Sequence, residues 1–406
     1  MNYYLNRFSV RGQLIVDTVD LDLGIIIVIP CCNEHNLVSS LQSVINCELP
    51  KSRVEVITVI NASETANEEV LQQNQQTLIE AEKWYKNHQT TIKFYFLEEN
   101  QLPTKDAGVG LARKIGMDEA VRRFDAINKP SGIILCFDAD AKCDTNYLVE
   151  VEKHFSKHPT TPACSIHFEH PIAGDEFSDK IYNGILQYEL HLRVYKNGLK
   201  YCGLPYAFHT IGSSMAVRSN AYQKQNGMNK RKAGEDFYFL QKLIPLGNFT
   251  ELKTTKVIPS PRVSDRVPFG TGKAMKNWLN ENQKELLSYS PKSFIDLKQF
   301  CDNIADLYTN EITLPKAIQA FLTTLDFEEN LLKIRNNSTS KTHFVKLFYN
   351  WFNAFKVLKY IHYARDNYYL DVPIFKGANE LLLLLGEQEQ PNLKALLLKY
   401  RAIDTN

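Results

Sequence analysis

The sequence predicts an α/β protein, a mixed sheet with covering helices, followed by a helical C-terminal subdomain. Two observations predict this. From Gly24 to about Phe168, short β-branched runs alternate with longer helical patterns, the arrangement of a mostly parallel sheet covered by helices. Beyond about Lys273 no strand pattern returns, and apolar residues recur at helical spacing to the end. A third feature places a site on that scaffold. The run SGIILCFDADAKCD is apolar from Ile133 to Phe137 and then presents Asp138 and Asp140, one residue apart. A strand of that composition is buried on both faces, so it turns acidic where it leaves the sheet, and ligands of open α/β sheets gather at such an edge.

Taken in order, the strand candidates are GIIIVIP, VEVITVI, IKFYFL, GIILCF and ACSIHF. Between them, Glu34 to Asn46, Glu64 to His88 and Ala107 to Phe124 are each long enough for a helix. From Glu169 to Tyr201 the apolar spacing becomes helical, and the Gly-Pro-aromatic loop YCGLPYAFHT follows. IGSSMAVR reads as a strand and AGEDFYFLQKL as a short helix opening on two acids. TTKVIP and then the loop SPRVSDRVPFGTG come next. The tail holds LKQFCDNIADLY, LPKAIQAFLTTL, FVKLFYNWFNAFKVLKYIHYA and ANELLLLLGEQE, all of helical pattern. The expected domains are therefore residues 1–272 and a helical subdomain, 273–406.

Bulk composition narrows the function. At 406 residues the chain can bury a substantial core, and its formal charge of +1 supplies no global field for binding nucleic acid. The eight cysteines show no CxxC pairing and several lie in apolar runs, which fits buried thiols in a reducing, cytosolic setting. The N-terminus lacks a signal-peptide pattern, and no apolar run approaches the roughly 20 residues that span a bilayer. A cytoplasmic protein is expected, with attachment at the inner face of the membrane as the further option.

Two carboxylates with one spacer at a strand end can offer oxygens to a divalent cation when a bound diphosphate completes the shell. The plain alternative has Asp138 capping a turn and Asp140 merely solvated. Three other stretches decide the context: VIPCCNE after the first strand, KDAGVGLARKIGMDEA before the aspartates, and GSSMAVR with GEDFYFLQKL after them. In order and spacing, over roughly Gly24 to Leu246, these resemble the family-2 glycosyltransferases, inverting enzymes of the GT-A fold.

The resemblance implies roles residue by residue. The loop from Pro30 and Cys31 to Glu34 would lie against the nucleotide base and ribose, with Glu34 as a helix-start carboxylate interacting with the dipole as the alternative. Asn61 stands where many members carry a second acid. Lys105 and Arg113 would bring positive charge to phosphate, with the small residues Ala107, Gly108, Gly110 and Ala112 letting the helix sit close to the nucleotide. Asp138 and Asp140 would hold Mg²⁺ or Mn²⁺ against the donor diphosphate. Glu235 and Asp236 match the family's acidic pair, Asp236 being the general base on the acceptor hydroxyl, with helix capping as the alternative. Arg266, in the Pro- and Gly-flanked loop, would contribute positive charge to the pyrophosphate, with a structural ion pair as the alternative. His209 is left out of the metal set.

The implied reaction is transfer of a sugar from a nucleotide-diphosphate sugar, UDP-linked as first choice, to a saccharide or lipid-linked saccharide in surface polysaccharide assembly. No Gln-x-x-Arg-Trp motif of processive synthases occurs, so one sugar at a time is expected. The aromatic and Lys-rich tail segment from Lys341 to Tyr369 fits either packing within the protein or peripheral contact with a membrane surface. Two other functions share the architecture. A sugar-phosphate nucleotidyltransferase should open with a Gly-rich basic loop after the first strand, where this chain has PCCNEHN; a non-catalytic binding protein of the same fold should have lost the acids.

Overall fold

The computed structural model describes residues 2–264, 266, 270–281 and 285–406. By compactness the chain forms two units. The first comprises the chain up to Gly174 together with Thr210–Lys276; the second comprises Asp175–His209 with Asn277–Asp404. The segment 175–209 thus groups with the C-terminal helices and not with the sheet.

Elements to the end of the sheet run, in chain order, α1 (Tyr3–Phe8), β1 (Leu23–Cys31), α2 (Leu37–Ile45), β2 (Arg53–Ser63), α3 (Glu68–Lys86), β3 (Lys93–Leu102), α4 (Val109–Ala126), β4 (Ile133–Cys136), β5 (Lys142–Cys143), α5 (Tyr147–Lys157), β6 (Ala163–Phe168), α6 (Asp179–Tyr201), β7 (Met215–Arg218), α7 (Ser219–Lys224), α8 (Glu235–Leu243) and β8 (Thr250–Ile258). The expected α/β architecture is present. Among the described residues the large sheet has eight strands in the order β3-β2-β1-β4-β7-β6-β8-β5. Strands β3, β2, β1 and β4 pair parallel to one another, whereas β7 is antiparallel to both β4 and β6, which makes the sheet mixed.

All nine residues of β1 are buried, because the strand is flanked by β2 and β4 and covered on both faces. That is the structural meaning of its unbroken apolar run. The parallel register brings the carboxyl ends of β1, β2 and β4 to one edge, so Cys31, Asn61 and Asp138 emerge together. The aspartate turn is held there by the backbone: Phe137 donates to the Val28 carbonyl at 3.1 Å, and the Ser40 hydroxyl of α2 donates to the Ala141 carbonyl at 2.5 Å.

The sequence reading gave no helix between the aspartates and β6, yet α5 lies there. Its buried Leu148, Val151 and Phe155 sit at helical spacing, a signal that was present in the sequence. Helix α4 packs on β1 and β2 and is anchored by a buried ion pair between Arg123 and Glu55 of β2, with Nη2 to Oε1 at 2.6 Å.

In the second unit, the aromatic segment expected as one helix is two, Lys341–Trp351 and Ala354–Asn367. Asn353 divides them, its side chain accepting from the backbone N–H groups of Phe355 and Lys356, an N-cap that restarts the helix. The apolar residues of this stretch, Phe344, Phe348, Val357, Tyr360 and Ile361, are buried. One small strand pair, Leu287–Ser288 with Val372–Pro373, interrupts the otherwise helical C-terminal part. No helix among the described residues is long and apolar enough to cross a membrane.

Helix α6 carries a buried charged face. Arg193 reaches Glu189 and, at 2.5 Å, Asp404; Lys196 reaches Asp404 at 3.0 Å; and Arg401 of the C-terminal helix Leu393–Thr405 reaches Glu189 at 2.8 Å. His209 also contacts Asp404, at 2.9 Å.

Candidate functional site

At the sheet edge three arginines meet four carboxylates, Glu34, Asp138, Asp140 and Glu235. Arg113, on α4, is 2% exposed and lies between Asp138 and Glu235, its Nη2 2.5 Å from Asp138 Oδ1 and its Nη1 in close contact with Glu235. Arg262, in the loop after β8, places Nε 2.5 Å from Asp140 Oδ2 and also contacts Glu34. Arg266 donates to the Cys32 carbonyl at 2.7 Å and stands 3.1 Å from Glu34 and 3.7 Å from Asp140. Asp265 and residues 267–269 of this loop lie outside the described residues.

The local sequence explains how a guanidinium reaches that depth. A Cβ on Gly212, just before β7, would fall 2.6 Å from Arg113 Nη1, so only a glycine lets the chain pass there. Gly110 has a different use from the one expected. A Cβ on it would lie 2.3 Å from the Arg231 carbonyl and one on Gly108 2.9 Å from Lys232, so both are closed off by the 229–232 segment. These two small residues serve packing against that segment and do not open α4 to a ligand.

Four carboxylates against three guanidiniums, with Asp236 next to Glu235, crowd negative charge at this edge, and that shapes the electrostatics. Burial pushes the Asp138 carboxyl above the ordinary aspartate range, with Arg113 opposing and Asp140 adding to it. Burial likewise raises Glu34, opposed by Arg262. In the adjacent pair of α8, burial raises both Glu235 and Asp236 against the pull of Arg113. A carboxylate held above its usual value at the mouth of a site is suited to taking up a proton near neutral pH. Asp236 fits best, since Glu235 is spent on Arg113, while Asp236 is only partly buried and its Oδ1 accepts the Phe237 backbone N–H at 2.7 Å.

The remaining expected residues fall as follows. Glu34 is 1% exposed and its Oε1 accepts from the Asn36 N–H at 3.0 Å. Pro30 and Cys31 are buried, and the Cys31 side chain belongs to the core cluster, so only backbone faces the edge at that point. Asn61 is buried, its carbonyl accepting from Asn74 Nδ2 at 3.0 Å, and the same Asn74 accepts from the Asn33 N–H at 2.8 Å. Asn74 thereby fixes the loop after β1 to the end of β2. Lys105 is exposed, in the turn before α4. The residue that sequence reading under-weighted is Arg262. It lies four residues before Arg266 in the same loop, and nothing in the sequence says that it touches both Glu34 and Asp140.

The donor set suits a hard divalent cation in part. The ion pairs use one oxygen of each aspartate, Asp138 Oδ1 and Asp140 Oδ2, and Asp138 keeps 38% of its side-chain surface exposed. No cluster of three or more His, Cys, Asp or Glu side chains among the described residues could enclose a metal by itself. Two carboxylates are enough only when ligand oxygens, such as those of a diphosphate, supply the rest.

Residues 26–224 match the family model described as Glycosyl transferase family 2. Among curated proteins none matches the chain. Similar solved structures include S. aureus TarS 1–349 in complex with UDP-GlcNAc, at 14% identity and TM-score 0.39, covering 94% of this chain and 90% of that one. Another is the mannosyltransferase PcManGT from Pyrobaculum calidifontis in complex with GDP-Man and Mn²⁺, at 14% identity and TM-score 0.40, covering 87% and 94%.

Proposed function

Because residues 26–224 make this chain a member of glycosyltransferase family 2, we propose that it transfers one sugar from a nucleotide-diphosphate sugar to a saccharide or lipid-linked saccharide, with inversion, in surface polysaccharide assembly. A UDP-linked donor is the first choice. The observation that carries this reading is the convergence of Asp138, Asp140 and Asp236 on one edge, with Arg113 joining the aspartate turn to α8.

In this reading Asp236 accepts the proton of the acceptor hydroxyl as its oxygen attacks the anomeric carbon. The bond to the donor diphosphate breaks in the same displacement, which inverts the centre. Arg113 positions rather than reacts: it holds both Asp138 and Glu235, which orients the start of α8. Arg262 and Arg266 belong to the loop that faces the donor and offer positive charge to the departing diphosphate. Asp138 and Asp140 would hold Mg²⁺ or Mn²⁺, which supplies Lewis-acid neutralisation of that leaving group when bound. Glu34, Asn61, Lys105 and the backbone at Pro30 and Cys31 frame the nucleotide side.

We assign the catalysis to residues 1–272, with 273–406 as a helical subdomain, and place the protein in the cytoplasm. The reading is tested by incubating the protein with a panel of UDP- and GDP-sugars, Mn²⁺ and saccharide acceptors, and measuring nucleoside diphosphate release and the anomeric configuration of the product by NMR. Release with one donor and an inverted linkage is expected. Retention of configuration, or no turnover with any donor, would contradict it.

A further inference from the structure

Beside the aspartate turn, but outside the site described above, two thiols lie against one another. Cys47 follows α2 and Cys143 ends β5, and their Sγ atoms are 3.6 Å apart. Each has a second tie to the same neighbourhood. Cys47 Sγ is 3.4 Å from the Ser43 carbonyl and 3.6 Å from the Asp144 carbonyl, and Cys143 Sγ is 3.8 Å from the Ser43 hydroxyl. Both cysteines are free, so the chain holds two reduced sulfurs in contact across elements far apart in sequence.

We propose that Cys47 and Cys143 form a reversible disulfide when the protein meets a two-electron oxidant of the peroxide class. Closing the bond requires the sulfurs to approach from 3.6 Å to about 2.05 Å, a movement within reach of side-chain rotation. The step balances as follows. The Cys47 thiolate attacks one oxygen of hydrogen peroxide, forming Cys47–SOH and releasing hydroxide. The Cys143 thiol then attacks that sulfur, forming the S–S bond and expelling water as its own proton is lost. Two thiols are oxidised and one peroxide is reduced to two waters.

The surroundings assign Cys47 as the attacking sulfur. Its pKa is lowered, first by the hydrogen bond from Cys143 and then by the backbone N–H groups of Leu148 and Tyr147 at the start of α5, with burial and Asp144 opposing. Cys47 itself is buried, and Cys143 is the more exposed of the two. Cys143 is only partly buried, and a surface cavity of about 490 Å³ is lined by Ser43, Asn46 and Lys142, the residues that adjoin the pair, together with Trp84 and His88 of the α3 end. In a reducing cytosol the pair rests as thiols, consistent with the low disulfide content expected there. Once formed, the crosslink would staple the end of α2 to the strand that leaves the aspartate turn, a turn that α2 already grips through Ser40.

The test is independent of any transferase activity. The whole protein is exposed to stoichiometric hydrogen peroxide, alkylated under denaturing conditions without reductant, and analysed by intact and peptide mass spectrometry. The expected result is an intact mass carrying six alkyl groups where the untreated protein carries eight, reversed by dithiothreitol before alkylation, and one crosslinked peptide pair joining Cys47 to Cys143. Cys47→Ser and Cys143→Ser should each lose the crosslink, while Cys164→Ser, in β6, should keep it. Should either variant fold poorly, the wild-type peptide map decides alone. Recovery of Cys47 and Cys143 as alkylated free thiols after peroxide, or a crosslink to a different cysteine, would overturn the proposal.

Discussion

Asp236 bears the heaviest claim of any single residue. Asp236→Asn keeps the shape and removes the proton acceptor, so kcat should fall by roughly 10²- to 10⁴-fold. Donor affinity should stay within a few-fold, since the residue is assigned to the acceptor side; steady-state kinetics beside calorimetry separate the two. The pH dependence follows from burial, which raises the Asp236 carboxyl. A base works only when deprotonated, so the rate should fall on acidification through a value above the ordinary aspartate pKa of about 3.9. A kcat/KM profile whose acidic limb lies at or below that ordinary value would contradict the assignment.

The elements at the sheet edge differ in how well the sequence announces them. β1 and β4 were legible because burial on both faces forces an unbroken apolar run, and the acids that end the run mark where the sheet stops. α4 was legible as a helix, but what its small residues do was not. Whether Gly110 faces a ligand or the 229–232 segment depends on a loop about 120 residues further along. α5 is short and directly follows the aspartate turn, but Leu148, Val151 and Phe155 carry the helical period. The loop after β8 is legible as Gly- and Pro-rich and basic, but its sequence does not say which of Arg262 and Arg266 reaches the acids. Arg262 joins Glu34 and Asp140, so Arg262→Ala should weaken donor binding by about 10- to 100-fold, the worth of a charge-assisted hydrogen bond. Calorimetric titration with UDP reads this directly, and unchanged affinity would show that the contact serves the fold alone.

Across the whole molecule, two separate buried charge networks carry different duties. The one at the sheet edge keeps an excess of carboxylates, which fits a site that takes a cation. The one in the second unit joins Asp404 to Arg193, Lys196 and His209, and burial lowers the His209 pKa against the pull of Asp404. Burial opposes it, but these neighbours hold the Asp404 carboxyl well below its usual range. A depressed pKa gives stability that is fully present above about pH 4, where the unfolded aspartate is ionised, and is lost as pH falls through the lower folded value. Asp404→Ala leaves Arg193 and Lys196 buried without that partner and should cost about 3–5 kcal/mol in denaturant unfolding. None of this was legible beforehand, because the partners come from α6 and the last helix, some 200 residues apart.

The central claim is that Asp138 and Asp140 end their strand to hold a cation and a nucleoside diphosphate. It is tested most directly by calorimetric binding of UDP, GDP and their sugar conjugates, with and without Mn²⁺, to the wild type and to Asp140→Ala. The account predicts tight binding of one nucleotide only with the metal, lost in the variant. Equal binding by both proteins, or no nucleotide bound under any condition, would contradict it.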